Sequence, residues 1–436
     1  MLTFRSLRAA LVLILAGSIA AAAQKKPAGT MSLSAVPPIE GPGQDIQGMR
    51  PESVGAVARF SLSLDTASNL RSRSNAARRL QIALPDGQAV TCLLRPVSRR
   101  DTMVVFAGGT IGGDPGDRCN LVLHGGQVTG EVDIAGGRYR IQAVGPGDAH
   151  AIVEIKTEAL PNELEAKRPP GDDSPRGLTP PGGNTELCDV NPPPGQPPKT
   201  FGPLRVMILY TPAVTAATPD IRADIELIVQ QIRTAYSAAR LGGNFSVSVE
   251  LAHVQELNYV ENDDMEKDLD RLTDPRDVTF RPVHTLRDTH KADVVHMLTK
   301  AKQRGACGIG WLNLSLRPQH AFSVSDHQCA LQVFSAVHEI GHNIGMNHDR
   351  FVERSGKPGP AEFNFGFVSL QRGTRSLMSY NNQCAEQKKS CLRLLQLSSP
   401  NVRVGGVAYG FPIEHPEAAY NVEVLCRNAA TVAGFR

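Results

Sequence analysis

An excess of charge of either sign is missing from this chain: 46 basic residues against 43 acidic ones leave a formal net charge of +3. The two signs are interspersed, and aromatic residues make up only 5% of the 436 residues, with a single Trp. A nucleic-acid surface needs a basic track and rings for base stacking, so nucleic acid finds no support as a partner. Acidic repeats of the Asp-x-Asp-x-Asp type and Gly-rich nonapeptides are absent as well, which leaves no sequence basis for a calcium site. Long apolar runs are lacking beyond the N-terminus. There, Arg5 and Arg8 precede the apolar stretch Ala9 to Ala16, and small residues ending Ala21-Ala22-Ala23 come before Gln24. That stretch is shorter than the roughly 20 residues a bilayer requires. Residues 1–23 therefore read as a cleavable secretory signal, which implies an exported protein, extracellular or periplasmic, without membrane contact after signal removal.

What is present suits a folded, multi-part chain. A 41% hydrophobic content is ample for a core, and the length predicts two folded units plus linkers. The compartment outside the cytoplasm is oxidising, so the eight cysteines are expected as disulfides. Their grouping suggests Cys92 with Cys119, Cys307 with Cys329, Cys384 with Cys391, and Cys188 with Cys426. Residues 24–50 are rich in Pro, Gly and Ala and read as a loose leader. From about Val57 to Thr157 short alternating apolar stretches are broken by turn signals such as Pro85-Asp86-Gly87 and Gly125-Gly126, which predicts an all-β unit. Its histidines, His124 and His150, stand isolated and read as surface residues. Residues 169–203, with four clusters of prolines, form a stiff extended linker suited to proteolytic processing. From Leu204 onward the pattern turns α/β. A strand over Leu204 to Tyr210 precedes a helix opened by Thr218 and Pro219, followed by strands over Val247 to Leu257 and Ala292 to Leu298.

The chemistry concentrates in His338-Glu339-Ile340-Gly341-His342-Asn343-Ile344-Gly345-Met346-Asn347-His348-Asp349. Helical residues four apart share a face, so His338 and His342 can aim at one ion. Gly345 can take a positive φ, turn the chain and bring up His348 as a third ligand. Three neutral imidazoles leave one tetrahedral position open, the arrangement of a catalytic site holding one Zn²⁺. Glu339, on the same turn, is placed to take a proton from water. Thirty positions on lies Ser376-Leu377-Met378-Ser379-Tyr380, a methionine-containing turn of the kind that underlies zinc in such sites.

On these two motifs the chain resembles the metzincin metallopeptidases. His348 followed by Asp349 is most like the reprolysin (adamalysin) branch, whereas the Met-turn is similar to those of the serralysins and astacins. Bacterial peptidyl-Asp metalloendopeptidases share this mixture, and Cys307-Gly308-Ile309-Gly310-Trp311 through His327-Gln328-Cys329 also looks like theirs. The resemblance covers residues 202 to 436. It implies an α/β (α+β) catalytic domain over 204–436, with a twisted sheet over the zinc helix and an edge strand that pairs with the substrate backbone; Gly308, Ile309 and Gly310, in the stretch Gly308 to Leu312, are either that edge or a buried strand without ligand contact. It further implies that Met378 packs beneath the ligands, that Tyr380 donates to the transition-state oxyanion, and that Asp349 fixes local geometry. Arg393 either favours an acidic side chain after the scissile bond or is a solvated charge beside Lys388 and Lys389. The β-rich unit, 24–168 with its leader, resembles the pro-domains of secreted metallopeptidases. The expected function is a secreted zinc endopeptidase acting on protein or peptide substrates and made as a latent precursor. The alternative is an adhesin-like binding protein whose β-rich half is the functional module. Oligomeric state has no signal in the sequence.

Overall fold

A computed structural model describes residues 30–33, 46–114, 116–134, 137–145, 147–171, 197–243, 245–262, 264–300, 305–353 and 362–436. The signal over 1–23, most of the leader, most of the linker and Cys188 lie outside the described residues. Among the described residues no helix is long and apolar enough to cross a membrane.

The N-terminal part is a nine-stranded sheet. Seven strands from Arg78–Ala83 to Ala149–Ile155 follow one another as an antiparallel meander. Val54–Ser61 pairs antiparallel on the last of them, and Thr30–Leu33 runs parallel on the first. The unit is not all-β. Ser63 caps a helix, Leu64–Arg71, by accepting from Thr66 N, and Asp65 in the first turn favours it further. Nor is His150 a surface residue: it is fully buried, stacks on Phe60 and accepts from Val128 N at 2.9 Å.

The C-terminal part is built on a five-stranded sheet in the order Phe245–Glu256, Lys199–Tyr210, Val294–Thr299, Phe322–Asp326, Gly308–Gly310. The first four strands are parallel, and Gly308–Gly310 adds antiparallel as the edge. Parallel strands covered on both faces read as continuous apolar runs, and Val294–Thr299 is buried throughout. In Lys199–Tyr210 the pleat sends Val206 and Ile208 to one core and Met207 and Leu209 to another. The first core also holds the helices Ile221–Ala235 and Ser335–Asn343; the second holds Met265–Thr273 and Arg281–Thr289. The long helix starts two residues later than the sequence suggests. Thr211 and Pro212 open a separate short helix, Pro212–Ala217, for which Thr218 is the extended C-cap, and Asp220 caps the long one by accepting from Ala223 N.

The two parts share a core. Val105 and Val122 of the N-terminal sheet pack among Ile225, Val229 and their neighbours. Polar pairs flank this contact: Arg140 with Asp224, His327 Nε2 with Asp224 at 2.8 Å, and Gln231 with Glu131 at 2.7 Å. Disulfides join Cys92 to Cys119, Cys307 to Cys329 and Cys384 to Cys391. Cys426 is disulfide-bonded as well, and its expected partner Cys188 lies outside the described residues.

Candidate metal centre

The helix Ser335–Asn343 carries His338 and His342 one turn apart, with their Nε2 atoms separated by 3.0 Å. Gly345 then takes φ +99°, and Met346 N donates back to Gly341 O at 3.0 Å, which reverses the chain as expected for a helix ending in a left-handed glycine. His348 is thereby carried to within 3.0 Å of His342, Nε2 to Nε2. All three rings are fully buried, and one nitrogen of each lies within 4.8 Å of the others.

The opposite ring nitrogens decide the protonation. His338 Nδ1 meets Leu377 O at 3.0 Å, His342 Nδ1 meets Met346 O at 2.8 Å, and His348 Nδ1 meets Glu353 Oε1 at 3.0 Å. Each partner is an acceptor only, so each Nδ1 bears the hydrogen and each Nε2 turns a lone pair inward. Burial pushes His338 down to about 3 and, with the other two rings, holds His342 well below the usual imidazole range. Three neutral, converging nitrogen donors fit a borderline divalent ion such as zinc with a position left open.

Glu339 is fully buried, and neither carboxylate oxygen has a hydrogen-bond partner among the described residues. Burial first, and then the charge of Glu163, raises its pKa well above the usual range. Its space comes from the edge strand. A Cβ on Gly308 would stand 2.7 Å from Glu339 Oε1, and one on Gly310 would stand 3.0 Å from Oε2. Ile309 turns the other way, into the core on the far side of the sheet.

Below the rings, Ser379 N donates to Ser376 O at 3.0 Å and closes the Met-turn. Met378 is buried so closely beneath the helix that a Cβ on Gly341 would lie 2.7 Å from its Sδ. Asp349 Oδ2 accepts from Tyr380 N at 2.9 Å and so ties the end of the histidine motif to the turn. The Tyr380 ring sits 4.2 Å from that of His348, centroid to centroid, and its hydroxyl donates to Leu164 O at 2.8 Å. Burial, with the charges of Glu163 and Glu339, keeps the phenol well above its usual pKa.

Two features escape a reading of the sequence. Arg393 is not a solvated charge: it is 1% exposed, whereas Lys388 and Lys389 beside it in sequence are exposed. It forms a two-pronged pair with Glu163, Nη1 to Oε1 at 2.5 Å and Nη2 to Oε2 at 2.6 Å. Burial would raise the Glu163 carboxyl, but the Arg393 charge and hydrogen bonds from Arg393 and Ser335 outweigh it and hold the carboxyl well below the usual range. The segment carrying Glu163 also fills the free side of the edge strand. Cys307 N donates to Asn162 O, Leu164 N to Gly308 O, Lys167 N to Gly310 O and Leu312 N to Lys167 O, at 2.8 to 3.0 Å, with Lys167 and Trp311 bridged in the parallel sense. The pairing of Glu163 with Arg393 spans 230 positions, and nothing local signals it. Glu353, the partner of His348, has no signal in the sequence beyond being an acid five residues after that histidine.

Residues 222–349, which end on the histidine motif, match the reprolysin-like metallopeptidases of family M12B. A peptidyl-Asp metalloendopeptidase of Stenotrophomonas maltophilia strain K279a is 28% identical over 370 residues, 84% of this chain and 82% of its own length. One from Xanthomonas campestris pv. campestris is 29% identical over 331 residues, covering 74% and 71%. A solved chaperone–substrate complex aligns at 13% identity and a TM-score of 0.39; the chain spans 46% of that structure, and nothing rests on the likeness. With the histidine triad inside the matched segment and the relatives aligned over most of the chain, the protein is similar to the reprolysin-like metallopeptidases over residues 222–349 and is a metalloendopeptidase.

Proposed function

We propose that this metalloendopeptidase is zinc-dependent, exported, and made as a latent precursor. In this reading residues 1–23 are the signal, 24–168 the pro-domain, 169–203 the linker that is processed, and 204–436 the peptidase. The observation that carries it is the set of three Nε2 lone pairs, each fixed by an acceptor behind it, beside a buried carboxylate with no partner among the described residues. Zinc held by His338, His342 and His348 would polarise the scissile carbonyl and make water easier to deprotonate. Glu339 accepts the proton from water at a carboxylate oxygen and returns it to the leaving amine; its raised pKa suits both transfers. The Tyr380 hydroxyl donates to the developing oxyanion. The edge strand Gly308–Gly310 offers backbone groups to an extended peptide, which supplies affinity independent of sequence. Selectivity falls to Arg393, whose fork matches a carboxylate, and the peptidyl-Asp name of the relatives agrees with an acidic residue after the cleaved bond.

The test uses protein recovered from culture medium. Wild-type protein is expected to start within the Pro-rich linker and to hydrolyse peptides. Glu339→Gln is expected to bind one zinc per chain yet lose about 10²-fold or more in activity, the size of a lost general base. Activity near wild type would remove Glu339 from the chemistry. An intact start at Gln24 without any peptidase activity would favour the adhesin-like alternative.

A further inference from the structure

One short segment of the N-terminal part occupies each element proposed to hold a substrate. Four backbone hydrogen bonds lay residues 162–167 along the edge strand. Glu163 presents its carboxylate to Arg393 with both side chains excluded from solvent, at 0% and 1% exposure. Leu164 O takes the Tyr380 hydroxyl at 2.8 Å. While these contacts stand, the edge strand, Arg393 and Tyr380 are all engaged and a substrate cannot use them.

The direction of the segment separates it from a substrate. If Arg393 receives the residue after the scissile bond, the carbonyl under attack precedes the acidic residue in sequence. Here the carbonyl on Tyr380 belongs to Leu164, which follows Glu163. The segment also runs parallel to the edge strand. Its acidic side chain therefore sits in the acid-accepting pocket while the peptide bond it would offer lies on the wrong side.

We infer that residues 162–167 are a built-in competitor bound in reverse, with Glu163 as the latch that fills the acid-accepting pocket of Arg393. The inference rests on the endopeptidase reading given above. Among the described residues the contacts at the site are made by Glu163, Leu164 and backbone groups, with no cysteine side chain in them. An acidic side chain is the one group that both the latch and a substrate bring to Arg393, so the two exclude each other. Removal of the latch exposes a guanidinium ready for the next carboxylate.

The experiment compares zinc-loaded, full-length wild type with Glu163→Gln, both verified as uncut, on a fluorogenic peptide with Asp after the cleaved bond. Glu163→Gln keeps the shape and loses the charge, and its turnover is expected to exceed that of the uncut wild type at least tenfold. A synthetic peptide of residues 160–168 should then inhibit Glu163→Gln competitively, and the same peptide carrying Gln for Glu should do so at least tenfold more weakly. If Glu163→Gln does not fold, the two peptides are compared as inhibitors of the linker-cut wild type instead: the Glu form should inhibit at least tenfold more tightly, and equal inhibition would overturn the latch. An uncut, folded Glu163→Gln as silent as wild type, alongside a linker-cut wild type that hydrolyses the peptide, would overturn the latch and leave the endopeptidase reading standing. Silence of the cut wild type as well would overturn that reading, and the latch with it.

Discussion

Glu353 offers the sharpest test of the metal centre, because it is the only one of the three acceptors behind the histidines that comes from a side chain. His338 and His342 lean on the backbone carbonyls of Leu377 and Met346, which no substitution removes. His348 leans on Glu353 Oε1 at 3.0 Å, in a spot where Glu353 is 3% exposed and the ring fully buried. A carboxylate there holds the hydrogen on Nδ1, orients the ring and makes Nε2 a better donor. Partners of this kind are worth about 10- to 100-fold in metal affinity, or about 1.4 to 2.7 kcal/mol. Burial and the full charge put Glu353→Leu at the upper end of that range. Glu353→Gln, which keeps an oxygen able to accept, falls at the lower end. The assay is a zinc titration against a competing chromophoric chelator at neutral pH, with circular dichroism to show that each variant is folded. Zinc affinity unchanged in a folded Glu353→Leu would refute the claim that this contact sets the tautomer of His348.

Gly308→Ala is expected to cost activity by at least tenfold while zinc binding survives, since the added methyl lies 2.7 Å from Glu339 Oε1 and 3.1 Å from Val324 O and must displace the carboxylate; full activity in a folded Gly308→Ala would show that the carboxylate has room to spare. His296 is fully buried between Ser323 Oγ and Ser325 Oγ, each at 2.8 Å, and burial pushes it down to about 3 from its ordinary 6.5. The unfolded chain then binds a proton that the folded chain refuses, so this contribution to stability is whole above pH 6.5 and drains away as pH falls toward 3. Melting temperatures of wild type and His296→Asn over that window should show the shallower decline in the variant, and parallel declines would be evidence against it.

The parts of the site that were legible in sequence are those set by local spacing. Four-residue periodicity fixes the faces of His338 and His342, a glycine permits the reversal at Gly345, and three cysteine pairs lie close enough along the chain to be guessed. Where two neighbouring caps compete, as at Thr218 and Asp220, local propensity alone misplaces a boundary, because a first short helix claims the earlier one as its own end. Arg393 illustrates a further limit. Among Lys388, Lys389 and Arg393 all three charges look alike in sequence, and only a carboxylate delivered from 230 positions away makes one of them a buried group. Burial of His150 follows the same rule, since Phe60 and Val128 come to it from other strands.

Val105 and Val122 sit in the same core as the helix Ile221–Ala235, with Arg140, Asp224 and His327 sealed beside them. Severing the backbone between the halves is therefore expected to leave them joined for a time, because an interface of that kind has a lifetime of its own. If the proposed precursor is cut in the linker, its activation has two clocks, one run by the protease that makes the cut and one by the escape of the cut-off half. A nicked sample is a different species from an active one. Dilution, which favours escape, and added N-terminal fragment, which opposes it, act on the second clock without touching the first.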